Sequence, residues 1–171
     1  MRWGQLFEDL EGRWQSDRAR MFDAEVADLT RAERAGVDLA ARLAASRGAS
    51  LALTLRDGSA VSGVLADATA QWVLLHSSPG ERLVPRGAIS AVRGLSSRAV
   101  PLGRIEQRLT LGAALRALAQ DRSWVAVRAQ GAEMIGLLES VGADFVEVAP
   151  EEGVPVTVPF DALLEVRSAQ G

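Results

Sequence analysis

Few side chains in this sequence could do chemistry. There is one histidine, His76, there is no cysteine or tyrosine, and all 19 basic residues are arginine. Without cysteine there is no thiolate nucleophile or metal ligand and no disulfide framework. Without lysine, neither a Walker-type phosphate loop nor a Schiff-base enzyme can be built. His76 has no second histidine to share a metal with and no thiol to activate, so it reads as an exposed polar residue at a strand end. Glu151 and Glu152 form a carboxylate pair, but the loop from Ala149 to Pro155 would leave them solvated, without the burial that tunes a catalytic acid. The expectation is a non-enzyme with no metal, no cofactor and no small-molecule substrate.

The remaining candidates are binding residues. Arg86 and Arg56 could contact phosphate or base, and Trp72 could offer a stacking face, which are the means by which single-stranded RNA is held. The bland reading places Trp72 in the core, because it opens the apolar run Trp72-Val73-Leu74-Leu75, and makes Arg86 a solvated turn residue. Charge gives limited support to RNA. The net charge of −3 divides as nine acids against eight arginines over residues 1–48, three against five over 49–103, and ten against six over 104–171. Only the middle segment leans basic, and a nucleic-acid binder usually shows a clustered positive field. A second candidate surface is the N-terminal stripe Trp3, Leu6, Phe7, Leu10 and Trp14, whose three- and four-residue spacing places it on one helix face. The bland reading is packing against the rest of the molecule or a second copy, and in an assembly protein the stripe would dock a partner or a second copy; Glu8, Asp9 and Glu11 on the polar face argue against a lipid surface.

These residues need elements to hold them. Residues 1–48 read as an N-terminal helical segment, either two helices, with Asp23 capping a second that carries Val26, Leu29, Val37, Ala40 and Leu43 inward to Gly48, or one continuous helix. From Ser50 the period changes to two. Leu51, Leu53 and Leu55 alternate with smaller or polar residues, Asp57-Gly58 supplies a hairpin turn, and Gly63 interrupts the second strand, where glycine marks a bend or a close backbone approach. Strands at Trp72–Leu75, Leu83–Val84 and Ile89–Val92 complete five in residues 49–96. Residues 97–122 read as a linker and a helix capped by Thr110, with Leu111, Leu115 and Leu118 on one face.

Residues 123–171 then repeat the strand pattern. The offset is 73 at Gly58/Gly131, Gly63/Gly136 and Trp72/Phe145, and 74 at Val84/Val158 and Val92/Val166. For the first strand, matching Leu55-Arg56 to Val127-Arg128 gives 72.

A helix followed by five bent strands, with Leu55-Arg56-Asp57-Gly58, Gly63-Val64-Leu65 and the run Val84-Pro85-Arg86-Gly87-Ala88-Ile89-Ser90-Ala91-Val92, resembles the Sm-like family, of the Hfq and LSm type. The resemblance implies an α+β protein with two tandem five-stranded Sm-like (SH3-like) antiparallel β-barrels, each preceded by a helix. It also implies pairing of exposed strand edges between subunits. The RNA-binding positions diverge: where the family holds its uridine-contacting residues this chain has Thr69, Trp72 and Val73, and Arg86 alone matches the basic contact of the second motif, with Phe160 and Asp161 at the corresponding places of the second repeat. The resemblance therefore points first to a scaffold or assembly protein acting through self-association and protein contacts, and second to an RNA-binding protein using the first barrel. No stretch has the roughly 20 apolar residues of a membrane span and the N-terminus carries acids, so a cytoplasmic, membrane-free protein is expected.

Overall fold

The computed structural model describes residues 20, 21, 31 and 34–169. The chain divides into two compact units, Met1–Asp38 and Leu39–Gly171. Trp3, Leu6, Phe7, Leu10 and Trp14 lie outside the described residues, as do Asp23, Val26 and Leu29. Val37, expected on a buried face, is 40% exposed.

The second unit opens with α1 (Leu39–Ala44), which buries Ala40 and Leu43 and gives way to Gly48, whose φ of 82° suits glycine. The strands β1 (Ser50–Leu55), β2 (Ala60–Ala68), β3 (Trp72–Ser77), β4 (Gly80–Pro85) and β5 (Ile89–Arg93) follow, with a one-turn 3-10 helix at Arg86–Ala88 between the last two. Two helices, α2 (Arg104–Arg108) and α3 (Leu111–Gln120), lead to β6 (Trp124–Ala129), β7 (Ala132–Val141), β8 (Phe145–Ala149), β9 (Val156–Pro159) and β10 (Leu163–Ser168), with a second 3-10 turn at Phe160–Ala162. Thr110 caps α3, its hydroxyl oxygen accepting from the Ala113 N–H at 3.1 Å.

The ten described strands form one open, antiparallel sheet in the order β5-β1-β2-β3-β4-β10-β6-β7-β8-β9. The expected pair of closed five-stranded Sm-like barrels is thereby overturned, and with it the tandem small-barrel architecture. The physical reason lies at β4. Its outer edge is taken by β10, Leu83 opposite Val166 and Arg82 opposite Arg167, so the second set of strands continues the first set's sheet and neither closes on itself.

The repeat survives as two halves of this sheet. Each half has an apolar cluster under a helix: Leu43 of α1 joins Leu53, Leu65, Val73 and Val84, while Leu111 and Leu115 of α3 join Val127, Leu138, Val146 and Leu163. The clusters interlock across the joint, since Leu164 of β10 sits in the first, and Trp72 and Leu83 sit in the second. Pairing also corrects the register of the first strand. Leu51 faces Gly63 and Val125 faces Gly136, so the offset there is 74, because the first hairpin holds one more residue between the paired Thr54 and Ala60 than the second holds between Arg128 and Glu133.

The in-strand glycines mark close approaches: a Cβ on Gly63 would lie 2.6 Å from the carbonyl oxygen of His76, and one on Gly136 would collide with the carbonyl of Ala149. Gly63→Ala and Gly136→Ala are each expected to destabilise the protein by about 1–3 kcal/mol, read as a lower denaturation midpoint. Gly87→Ala, where nothing lies within 4 Å of the added carbon, is expected to be neutral. A surface ion cluster ties α2 to the first half: Arg47 reaches Asp67 at 2.7 Å and Glu106 at 2.6 Å. The Glu106 carboxyl is held below its ordinary value, chiefly by the Arg47 hydrogen bond and then by the Gly103 N–H. A depressed carboxyl stabilises above its unfolded pKa and stops doing so as pH falls through the folded one. The stability deficit of Glu106→Gln, present at neutral pH, is therefore expected to vanish on acidification through that range, followed by denaturation at a series of pH values.

Candidate functional site

The residues singled out by type scatter over the fold. His76 lies in β3 opposite Glu81 in β4, with Nδ1 3.2 Å from its carboxylate and both side chains 57% exposed, a surface pair on which no further polar side chain converges among the described residues. Glu151 and Glu152 are exposed in the bend before β9. Among the described residues there is no cluster of three metal-ligating side chains. Beside the β4–β10 joint lies a depression of about 220 Å³ walled by Pro79, Glu81, Arg82, Trp124, Ile135 and Arg167 among others. Its cations are engaged, Arg167 with Glu133 at 2.6 Å and Arg82 with Glu165 at 2.7 Å.

Of the three RNA-contact candidates, Trp72 is 7% exposed, packs in the second cluster and donates its indole N–H to the Leu109 carbonyl at 3.1 Å. Its ring is turned into the core. Arg56 is exposed on the first hairpin, where its guanidinium donates to the Asp161 carbonyl in the second 3-10 turn. Arg86 is half-buried in the first 3-10 turn, its N–H bonded to the Gln71 carbonyl at 2.8 Å, and its side chain makes no ion pair with a described residue. Arg56 and Arg86 thus both stand by the joint between the halves, while Trp72 reaches it from inside.

The charged centre of the fold is elsewhere. Glu165 of β10 is 2% exposed, and its two carboxylate oxygens are each taken by a different strand's arginine: Oε1 by Arg82 of β4 at 2.7 Å, and Oε2 by Arg128 of β6 at 2.8 Å. Arg82 also donates through Nε to the Ser77 hydroxyl at 2.8 Å, whereas the buried Nε of Arg128 has no partner among the described residues. A second polar contact lies next to it, the Glu81 N–H donating to the Ser168 hydroxyl at 3.1 Å. Gly80 gives that serine room, since a Cβ there would collide with its Oγ. None of Arg82, Arg128 or Glu165 stood out by type. The available signal was a lone carboxylate in the run Leu163-Leu164-Glu165-Val166, where an acid flanked by buried aliphatics asks for a cation.

No family model and no curated protein matches the chain.

At the two ends of the sheet, β5 and β9 each pair with one described strand. The repeat makes β9 the counterpart of β4, since Val158 faces Val146 as Val84 faces Val73. It makes β5 the counterpart of β10, since Val92 faces Leu53 as Val166 faces Val127. The outer edges of the described sheet are thus the same two kinds of edge that meet inside the chain. Exposure follows: Leu83 is 6% exposed at the joint, whereas its counterpart Thr157 on the β9 edge is exposed.

Removing the carboxylate from between two arginines leaves like charges in a largely desolvated site, at a cost of about 3–5 kcal/mol, with the lower end favoured where the arginines keep some water. Glu165→Ala is expected to lower stability by about 3 kcal/mol. The triple variant Arg82→Val, Glu165→Ala, Arg128→Thr, which removes every charge, is expected to lose less than the single one. Denaturant unfolding of the two variants and the parent checks the order.

Proposed function

We propose that this protein is a non-enzymatic assembly protein that works through self-association, β9 of one copy pairing with β5 of the next. The observation that carries this reading is the β4–β10 joint. One chain already joins an edge of the β4 kind to an edge of the β10 kind, and the sheet ends on one further edge of each kind. Carried over by the repeat, the register would set Val92 of one copy opposite Thr157 of the next and Arg93 opposite Val156. An unpaired strand edge is a template for another chain, and an edge-to-edge contact between unlike edges is heterologous, so copies close into a ring or extend into a filament. The apolar anchors differ from those inside the chain: the counterparts of Leu83 and Leu164 are Thr157 and Ser90. Association between copies is for that reason expected to be weaker than the internal joint. The N-terminal stripe belongs to the same reading as a further contact surface, and so does a cytoplasmic setting; no helix among the described residues is long and apolar enough to cross a membrane.

The expected outcome in a solution mass measurement is a series of species above the 18.2 kDa monomer that dissociates on dilution. A single monomeric mass at high protein concentration would overturn the reading.

A second reading, RNA binding through the first half, is favoured by one observation, the Arg86 side chain without an ion pair to a described residue. The likeness to Sm-like proteins belongs with it. Its signature would be salt-dependent retention of single-stranded RNA that weakens on Arg86→Ala.

A further inference from the structure

The residues that meet at the internal joint have counterparts at the two outer edges of the described sheet, and these differ together. Arg82, Glu165 and Arg128 correspond to Val156, Ala91 and Thr54, so all three charges are absent at the outer edges at once. The Glu81 N–H and the Ser168 hydroxyl that accepts it correspond to Pro155, which has no N–H, and Gly94, which has no hydroxyl. Gly80, which leaves room for Ser168, corresponds to Val154, while Gly94 stands at the place of the serine: the bulk has moved from one strand to the other. The Arg56 guanidinium on the Asp161 carbonyl corresponds to Gln130, still a donor, before the Gly87 carbonyl. At these positions the charges of the cluster and the Glu81–Ser168 contact are lost from both strands together, whereas Arg167, paired with Glu133, keeps its charge as Arg93 beside the lost acid at Ala60. The outer edges thus differ from the joint in charge and in bulk on both strands at once.

We propose that the four edges are keyed by charge: β4 takes only β10, through the Arg82–Glu165–Arg128 cluster, and β9 takes only β5 of a second copy, through a contact centred on Val156, Ala91 and Thr54 that lacks that cluster and leaves Arg93 as its one cation. The inference rests on the reading that copies associate edge to edge, and adds to it the partner strand and the residues that select it. Mispairing leaves a charge uncompensated. Placing β4 on a second copy's β5 would set Arg82 against Ala91 and Thr54, and placing β9 on β10 would leave Glu165 with one arginine in place of two. A desolvated charge without its partner costs more than a neutral contact gains, so the wrong pairs are excluded while the right ones are permitted. The buried charges thereby fix which half follows which along the assembly, a registry role of the kind that polar residues play in other interfaces.

The test transplants the key. Val156→Arg places a cation on the β9 edge alone, and Thr54→Arg/Ala91→Glu places the matching pair on the β5 edge alone. These positions are exposed or half-buried at the ends of the sheet, so each variant is expected to keep the parent's thermal unfolding midpoint at dilute, monomeric concentration. By sedimentation or light scattering, Val156→Arg is expected to self-associate at least about tenfold more weakly than the parent. Mixing it with Thr54→Arg/Ala91→Glu is expected to restore association, because the introduced arginine of one variant then meets the introduced glutamate of the other, and the remaining edges form the parent contact unaltered. Unchanged association of Val156→Arg, or a mixture no heavier than its components, overturns the keyed pairing while leaving edge-to-edge assembly standing. A parent protein that stays monomeric overturns both.

Discussion

A carboxylate buried between two arginines fixes this fold. Taking Glu165 out of water costs several kcal/mol, which is offset only when Arg82 and Arg128 both approach with good geometry. Those arginines lie on the strands flanking β10, one from each half of the sheet. The carboxylate therefore works as a clasp between β4 and β6, and sets the alignment of all three strands. A slip of one residue would point β10's side chains to the opposite face and set Val166 where the acid belongs. The aliphatic contacts follow the same plan, with Leu164 entering the first cluster and Trp72 and Leu83 entering the second. Hydrophobic burial supplies most of the stability of such a joint. The ions supply its specificity, because an apolar contact tolerates misalignment that a buried charge does not.

Much of the local structure was legible. The alternation of Leu51, Leu53 and Leu55, the glycines at 63 and 136, the Thr110 cap and the 73- to 74-residue repeat all report on short-range geometry, and pairing partners such as Leu51 with Gly63 follow from it. Barrel closure was not legible, because it depends on which strand occupies the outer edge of β4. That competition is decided by contacts between residues more than eighty positions apart, and a five-strand pattern has the same periodicity whether it closes on itself or extends into its neighbour. The hairpin register failed for a related reason: the Arg56/Arg128 match is one of residue type, whereas the ladder pairs Arg128 with Glu133 and Thr54 with Ala60.

The candidate site was legible in part. Chemistry-bearing residue types led to His76, Arg56, Arg86 and Trp72, of which the last is spent on the core through its bond to Leu109. The residues that organise the molecule were passed over because Arg82, Arg128 and Glu165 look, one at a time, like ordinary polar members of strands. Only their convergence from three strands gives them meaning, and convergence is a property of tertiary structure. The repeat then became more informative than the motifs, since it allows one joint to be compared with the edges that lack it.

Arg82 and Glu165 are 83 residues apart, which has a consequence for the order in which the molecule is made. At about 5–20 residues per second, β1 to β4 are finished roughly four to sixteen seconds before β10 follows. For that interval the first half holds an open edge with an unanswered cation and a core lacking Leu164. On a polysome, the β10 strand of a neighbouring nascent chain is an equivalent answer, so the same clasp that defines the finished monomer also opens a brief window for strand exchange between chains. The length of that window is set by the spacing of the two residues along the gene.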